Sequence, residues 1–302
     1  MSDNVLAQNQ YGKAENRIVT VTRSGNEGAW HQVRDLNVSV ALRGEFDEVH
    51  FSGDNGNCLP TDTTKNTVYA LAKEHGIASP EAFGLHLARH FVQSQPVIHQ
   101  ARIRIEEFAW ERIVTPAKQR HSFARKGQEV RTAEVLYTGA TDTFQVVSGL
   151  KDLAVLNSTG SEFHGYIKDR YTTLKEAYDR VLATRVTARW AHARTGTYGD
   201  DAFDWDRSYR EARRHLLEAF AETYSYSLQQ SLYAMANRVL DNRREIDEVR
   251  LSLPNSHHFL VDLEPFRLTN DNQVYYAADR PYGLIEGTVH RPGVTPVIPT
   301  DD

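Results

Sequence analysis

The chain has 302 residues, and its 35 basic and 40 acidic side chains give a net charge of -5 at neutral pH. A length about twice that of an ordinary domain favours two domains with ample core, and a hydrophobic fraction of 40% argues against disorder. The acidic balance lacks the basic footprint typical of proteins that bind nucleic acid or an anionic membrane surface, so neither partner is expected.

Alternation of apolar and polar residues with a period of two predicts half-buried antiparallel strands along most of the chain. The segments are residues 18–22, 38–42, 101–105, 186–190, 249–253, 259–263 and 274–277. They occur in both halves of the sequence. The pattern therefore favours an antiparallel sheet rather than a parallel one.

Apolar residues at helical spacing predict two pairs of helices between these strands. The four helices cover residues 65–76, 80–94, 206–223 and 226–241. The second helix has a clear start signal, because Ser79 stands at the N-cap and Pro80 at the first helical position.

The two halves of the chain resemble each other. One constant shift in numbering lays residues 98–105 on residues 246–253, and it lays residues 87–92 on residues 235–240. We interpret this as an α+β protein built from two copies of one unit. Chance similarity between amphipathic segments is the alternative. The predicted copies are residues 1–148 and 149–302.

Familiar catalytic patterns leave the chemistry open. Glycine-rich phosphate loops and the Gly-x-Ser-x-Gly elbow are absent from the sequence. His86 and His90 have the spacing of a zinc helix, but the glutamate after the first histidine and a third ligand are missing, which favours a solvated or packed pair. His257 and His258 are adjacent on a predicted strand, so they point to opposite faces and cannot share a metal.

Several segments spread over nearly the whole chain match the pattern of one known family in order and spacing. They are Tyr11-Gly12-Lys13, residues 61–67 (TDTTKNT), residues 156–163 (LNSTGSEF), residues 169–180 (DRYTTLKEAYDR) and residues 252–257 (SLPNSH). Together they resemble the urate oxidase (uricase) family. The resemblance implies two tandem tunnelling-fold (T-fold) units, each an antiparallel sheet backed by two helices, and a homotetramer with active sites at subunit interfaces.

The resemblance also implies a reaction. Urate, dioxygen and water would give 5-hydroxyisourate and hydrogen peroxide in purine catabolism, with no metal or organic cofactor. Urate is a flat, electron-rich anion, so its site needs a planar cationic clamp, a stacking face and a route for removing a second proton. A urate dianion can give one electron to triplet dioxygen, so the expected task of the protein is deprotonation and positioning.

Proton transfer and dioxygen binding are implied at four positions. Lys13, Thr61 and His257 are the implied catalytic residues, which pass protons through an ordered water. A lysine works as a base only if burial or a neighbouring charge brings its pKa toward neutrality. Thr61 and Asn255 are implied to hold dioxygen and later water. Ser256 stands where the family often has lysine, and strand alternation is expected to point it away from the site.

Substrate binding is implied mostly at positions in the second half. Arg180 is the implied bidentate clamp, Gln229 offers a donor and an acceptor to the opposite purine edge, and Phe163 stacks on the ring. The remaining implied contacts are the Leu174 side chain and the backbone N–H groups of Asp62 and Leu228. Because these residues and the implied catalytic residues come from both halves, a site shared between subunits is expected.

Two other functions stay open from the sequence. Another tunnelling-fold purine or pterin enzyme would share the fold, but such enzymes are typically zinc-dependent and a cluster of three histidine ligands is not found. A catalytically inactive purine-binding oligomer is the other alternative, and the presence of Lys13, Thr61 and His257 disfavours it.

The expected location is the cytoplasm. Cys58 is the only cysteine, so an intrachain disulfide is impossible and a reducing compartment is expected. The first residues lack the basic and apolar regions of a secretory leader, and no apolar stretch is long enough to span a membrane. Residues 299–302 do not match a peroxisomal address of the Ser-Lys-Leu type.

Overall fold

The computed structural model describes residues 4–23, 31–116, 121–193 and 203–300. The strands are β1 (Tyr11–Thr22), β2 (Gln32–Gly44), β3 (Ile98–Arg112), β4 (Phe123–Thr138), β5 (Thr143–Asn157), β6 (Leu182–His192), β7 (Ile246–Leu260) and β8 (Tyr275–His290). The helices are α1 (Asp47–Phe51), α2 (Thr61–His75), α3 (Pro80–Ser94), α4 (Trp205–Glu222) and α5 (Leu228–Asn242). The strands form an eight-stranded sheet in chain order, and the predicted α+β class is confirmed.

Helix α3 has the predicted bounds because its start signal is local. The Ser79 hydroxyl oxygen accepts a hydrogen bond from the Ala82 N–H group at 3.1 Å, which satisfies one of the N–H groups that lack a partner inside the helix. Pro80 follows at the first helical position, where its missing N–H group costs nothing. The predicted strand at residues 259–263 differs from the structure, since β7 ends at Leu260.

The first compact unit comprises Met1–Gly149 and Ala191–Arg207. Its core lies where the alternating apolar residues of β2 and β3 meet helices α2 and α3, with Leu36, Leu42, Phe91 and Ile103 almost fully buried. Burying such a side chain stabilises the fold by about 1.5–3 kcal/mol. Helix α2 contacts β1, the edge strand of the sheet.

The second compact unit comprises Leu150–Trp190 and Ser208–Asp302. Its core includes Trp190, Leu216 and Leu251, all fully buried, and α5 contacts both β7 and β8. Helix and strand approach closely at Gly287, where an added Cβ would lie 2.9 Å from the Leu232 side chain. A larger residue at this position would therefore force the Leu232 side chain to shift.

The segment Ala191–Arg207 lies with the first compact unit, whereas the predicted repeat boundary assigns it to the second half of the chain. Its anchor is Asp206, whose carboxylate accepts hydrogen bonds from Arg131 at 2.5 Å and from Arg34 at 2.9 Å. Arg131 also pairs with the fully buried Glu81 at 2.7 Å. Ion pairs between distant sequence positions give no periodic signal, so sequence patterns miss this anchor. The duplication itself stays a prediction.

Candidate active site

Lys13 lies on β1 immediately before a β-bulge. The register of β1 against β2 shifts between Lys13 and Asn16, and Glu15 adopts a positive φ of 56°. Side chains hold the bulge in place: the Glu15 N–H group donates to the Ser39 hydroxyl at 2.9 Å, and the Asn16 amide donates to the Val38 carbonyl at 3.1 Å. Because a bulge redirects the side chains next to it, the backbone at this point fixes where Lys13 projects.

Thr61 and Asp62 are the first two residues of α2. The preceding residue, Pro60, supplies no side-chain cap to the helix. The first N–H groups of a helix have no partners within it, and the positive end of the helix dipole favours an anion there. The Asp62 N–H group, a predicted purine contact, therefore stands where an acceptor on an anionic ligand would be stabilised.

Lys13 and Lys65 both act electrostatically on Asp62 at the start of α2. The Asp62 carboxylate forms an ion pair with Lys65 and accepts a hydrogen bond from the Asn66 amide at 3.0 Å. The hydrogen bond from Lys65 and the charge of Lys65 lower the pKa of Asp62, and the charge of Lys13 acts in the same direction. Lys13 thus acts electrostatically on Asp62 at the start of α2, and we assign the predicted residues Lys13, Thr61 and Asp62 to a first group.

Phe163 lies in the segment that connects β5 to β6. A short antiparallel bridge fixes it, with the Phe163 N–H group donating to the Ala177 carbonyl at 2.7 Å and the return bond measuring 3.0 Å. The Tyr166 ring stacks on Phe163 with 5.0 Å between the ring centroids and an interplanar angle of 15°. Tyr166 covers one face of the Phe163 ring, so a planar ligand would stack on the other.

Arg180 lies at the end of the same segment, and its guanidinium carbon is 5.2 Å from the Phe163 ring centroid. The Arg180 Nε–H group donates to the Ser161 hydroxyl at 3.1 Å. Burial lowers the pKa of Arg180, yet an arginine stays protonated in proteins. A partly desolvated cation beside an aromatic ring is suited to bind a flat anion.

Leu228 and Gln229 begin helix α5. The Ser227 hydroxyl caps this helix by accepting a hydrogen bond from the Gln230 N–H group at 3.2 Å. The Leu228 side chain is buried, whereas Gln229 is exposed. As at α2, the N–H groups of the first turn lack partners within the helix, so the predicted backbone contact at Leu228 has a free donor of the required kind.

Backbone hydrogen bonds hold the start of α5 beside the Arg180 segment. The Glu162 N–H group donates to the Ser225 carbonyl at 2.8 Å, and the Ser225 N–H group donates to the Gly160 carbonyl at 2.9 Å. Ser225 lies two residues before the Ser227 cap. Backbone hydrogen bonds therefore join the two segments that carry these predicted residues. We assign them to a second group, which comprises Phe163, Arg180, Leu228 and Gln229.

Of the other predicted site residues of this unit, Leu174 is linked to that group through Tyr166, whereas Asn255 and His257 lie on a strand. Leu174 is 57% exposed, and its carbonyl accepts a hydrogen bond from the Tyr166 hydroxyl at 2.6 Å. Asn255 and His257 lie on β7, where the His257 ring stacks on Phe259 with 5.8 Å between centroids. Among the described residues, no hydrogen bond or ring contact joins Asn255 or His257 to the Arg180 segment.

The side chain of Ser256 lies where the predicted alternation of β7 puts it. Ser256 lines a cavity of about 600 Å³ together with Ser252 and Pro254. Leu251 and Leu253, the alternate residues of β7, are buried in the core. By numbering, Asn255 and His257 follow Leu251 and Leu253 at every second position of β7, although the strand register shifts between Asn255 and His257.

Glu162 and Tyr224 belong to this region, and the sequence reasoning assigned them no role. The Glu162 carboxylate accepts hydrogen bonds from the Tyr224 hydroxyl and, at 2.9 Å, from the His164 ring. The hydrogen bond from Tyr224 lowers the pKa of Glu162, and the same bond raises the pKa of Tyr224 to about 12. Glu162 stands inside the matched segment LNSTGSEF, which was the available signal.

No group of three or more His, Cys, Asp or Glu side chains in the described parts of the chain could hold a metal ion. His86 lies beside the His75 ring with 4.2 Å between centroids, and His90 lies 5.9 Å from Phe91. The two histidines of the zinc-like spacing thus both have aromatic neighbours. In the described ranges, no helix is long and apolar enough to cross a membrane.

Two α+β units, with an antiparallel sheet and helices that carry candidate anion-binding N-termini, define a tunnelling-fold (T-fold) protein. The sequence profile of the family described as uricase matches residues 9–136 and 146–286. The chain belongs to the uricase family.

Individual relatives support the same assignment. The chain is 49% identical over 289 residues to the uricase of Arthrobacter globiformis, a match that covers 96% of this chain and 91% of that protein. It is 38% identical over 290 residues to the uricase of Dictyostelium discoideum, covering 95% of this chain and 97% of that protein. A crystal structure of the Arthrobacter globiformis uricase matches with a TM-score of 0.90 at 48% identity and covers 99% of both chains.

Proposed function

We propose that the chain is a urate oxidase, which converts urate, dioxygen and water to 5-hydroxyisourate and hydrogen peroxide in purine catabolism. The observation that carries this proposal is the Arg180 guanidinium, held 5.2 Å from the Phe163 ring centroid in a chain of the uricase family. A planar cation next to a half-buried aromatic ring matches the shape and charge of urate. The relatives named above are uricases over almost the same length.

Substrate binding follows from the second group of residues. The purine ring stacks on the face of Phe163 opposite Tyr166, and the Arg180 guanidinium donates two parallel hydrogen bonds to adjacent acceptors on one edge of the purine. The Gln229 amide and the Leu228 N–H group meet the ring from the start of α5. Both the guanidinium and the helix N-terminus favour the anion over neutral purines.

Proton transfer is assigned to Lys13, Thr61 and His257. Oxidation takes two electrons and two protons from urate to dioxygen, which becomes hydrogen peroxide, and water then adds to the oxidised ring. Thr61 and Asn255 hold dioxygen and afterwards water at the ring. The protein residues move protons and orient reactants, and no metal or organic cofactor takes part in the proposal.

The complete site belongs to a homotetramer in this proposal. The first group, Lys13 with Thr61 and Asp62, comes from one subunit, and the second group around Arg180 comes from its partner. Support comes from the placement of the two groups in different compact units of the chain. We propose a cytoplasmic location, supported by the single cysteine of the sequence, which suits a reducing compartment.

A combined assay tests the proposed activity. Purified protein is mixed with urate after exhaustive chelation, and urate absorbance, dioxygen uptake and peroxide release are followed together. The expected result is equal molar loss of urate and dioxygen, with equal gain of peroxide. Binding of urate without its loss would identify an inactive purine-binding protein. Activity that disappears on chelation and returns with zinc would identify a metal-dependent relative of the same fold.

A further inference from the structure

We propose that Ser161 is the positioning residue that orients the Arg180 guanidinium for its substrate. The inference rests on the proposed urate-binding role of Arg180 and adds a residue to which no role in the site is assigned. Ser161 contacts Arg180 and is fully buried, so it acts through the arginine. Its hydroxyl decides which edge of the guanidinium faces the ligand.

Arg180 is attached to Ser161 at two points. The Arg180 backbone N–H group donates to the Ser161 carbonyl at 2.9 Å, and the Arg180 Nε–H group donates to the Ser161 hydroxyl oxygen at 3.1 Å. A guanidinium can grip a planar acceptor with the edge formed by Nε and one Nη, or with the edge formed by both Nη atoms. Because the Ser161 hydroxyl occupies Nε, only the edge with both Nη atoms remains.

Ser161 is itself fixed by a buried cluster of serines, which comprises Ser161, Ser225 and Ser231. All three are at most 1% exposed. Ser161 and Ser225 form a parallel bridge, and the Ser231 hydroxyl donates to the Ser225 hydroxyl at 2.8 Å. Ser231 lies in the first turns of α5. The backbone bridge to Ser225, which an alanine at position 225 would keep, therefore ties Ser161 to the segment that leads into the helix beginning with Leu228 and Gln229.

A buried hydroxyl next to a partly desolvated guanidinium has a chemical consequence beyond packing. The Arg180 Nε–H group would lose its acceptor if Ser161 became alanine, and a buried donor without a partner is unfavourable. The long arginine side chain would then rotate to find another acceptor. The charge of Arg180 would be unchanged, but the edge with both Nη atoms would no longer face the substrate. Substrate binding would therefore weaken while the protein still folded.

A double-mutant cycle separates this positioning role from a structural one. Equilibrium binding of urate is measured without dioxygen for the wild type, Ser161→Ala, Arg180→Lys and the double variant. Lysine has no Nε, so the orientation argument does not apply to it. Ser161→Ala should raise Kd about tenfold in the wild-type background and less than twofold in the Arg180→Lys background. Equal increases in both backgrounds, or no increase in either, would overturn the inference.

Ser225→Ala is the matched control, because Ser225 is a buried serine of the same cluster without a side-chain hydrogen bond to Arg180. Its effect on Kd should be the same in the wild-type and Arg180→Lys backgrounds. Thermal unfolding of every variant shows which of them fold.

A crystal structure of the wild type with urate, grown without dioxygen, tests the orientation directly even if the serine variants fail to fold. We expect both Nη atoms of Arg180 on urate and Nε on the Ser161 hydroxyl. An Nε–urate hydrogen bond would contradict the proposal. If the wild type binds no urate, the proposed function fails instead, and the ligand-free crystal structure still shows whether Ser161 holds Nε.

Discussion

Single residues of the proposed site differ in how far their charges are withdrawn from water. The Arg180 guanidinium is partly desolvated, and its pKa is lowered by that burial. The Asp62 carboxylate is exposed and has a cationic neighbour, Lys65, which lowers its pKa. An anionic ligand would therefore stabilise the Arg180 guanidinium strongly, because a partly buried charge is poorly hydrated and interacts more strongly with an opposite charge than an exposed charge does.

Replacing Arg180 should be severe with either alanine or lysine. Lysine keeps the charge but offers a point cation where two parallel donors are needed. We expect kcat/KM for urate to fall about a hundredfold in both variants, with alanine the worse for binding. Arg185→Lys on β6 is the control, since this exposed arginine pairs with Asp152 outside the proposed site. A loss below about threefold for either Arg180 variant would show that Arg180 is not the clamp.

The roles of individual residues were predictable only through the family resemblance. Composition and spacing gave no reason to separate Arg180 from other arginines, because its value comes from the ring of Phe163 and the burial around it. Ser161 lies within the matched segment LNSTGSEF, but the resemblance implies no role for it. A serine between glycine and glutamate is typical of a surface turn, and its complete burial follows from its bridge to Ser225, which lies far along the chain.

At the scale of helices and strands, two helix starts carry the predicted backbone contacts. Helix α2 begins at Thr61 without a side-chain cap, whereas α5 begins after the Ser227 cap. Helix α3 has a cap of the same kind at Ser79 but carries no predicted site residue. Comparing cap substitutions in α3 and α5 therefore distinguishes the contribution of a cap to stability from its contribution to substrate binding.

Removing the two caps should have similar effects on stability and different effects on catalysis. Ser79→Ala and Ser227→Ala should each lower the free energy of unfolding by about 1 kcal/mol. Only Ser227→Ala should also raise KM for urate, by several-fold, because the cap holds the first turn of α5, which carries the Leu228 N–H group and the Gln229 side-chain amide. Urea unfolding and steady-state kinetics on both variants provide the measurement. An unchanged KM for Ser227→Ala would argue against a substrate contact at the start of α5.

The first turn of α4 gives a pH-dependent prediction. Burial raises the pKa of Asp206, but the charges of Arg131 and Arg34 outweigh it, and the net shift is downward. A carboxyl whose pKa is lower in the folded state adds stability above its unfolded pKa, and this stability is lost as the pH falls through the folded pKa. Asp206→Asn should cost on the order of 2 kcal/mol at neutral pH.

The stability difference between the wild type and Asp206→Asn should stay constant from pH 8 to 5 and shrink below about pH 4. Urea unfolding across this range measures it. Glu211→Gln on the same helix is the control, because Glu211 belongs to an exposed ion pair with Arg214 and should change the midpoint far less. A difference that already shrinks between pH 8 and 6 would assign the effect to another group.

The helices and strands differ in how completely the sequence predicted them. The helix Pro80–Ser94 follows from Ser79 and Pro80 alone. Strand β4 was not predicted: residues 123–129 are mostly exposed and show no apolar alternation, although Ala133, Val135 and Tyr137 are buried at alternate positions further along the strand. The attachment of Ala191–Arg207 to the first compact unit depends on Asp206 and its two arginines, which are distant in sequence.

For the whole molecule, the proposed chemistry depends on residues from both compact units. Lys13, Thr61 and Asp62 lie in the first unit, and the residues around Arg180 lie in the second. The central claim is that these two groups act on one urate molecule and come from two different subunits. The first group lacks the Arg180 clamp, and the second unit lacks Lys13 and Thr61 of the proposed proton relay, so neither should oxidise urate by itself.

Mixed assemblies of two inactive variants test this claim most directly. Lys13→Met and Arg180→Ala subunits are dissociated, reassembled together, and checked for hybrids by mass spectrometry, while each parent receives the same treatment alone. A hybrid interface can join the intact first group of one subunit to the intact second group of the other. Urate oxidation should therefore reappear in the hybrids. Confirmed hybrids with no more activity than the treated parents would contradict the shared site.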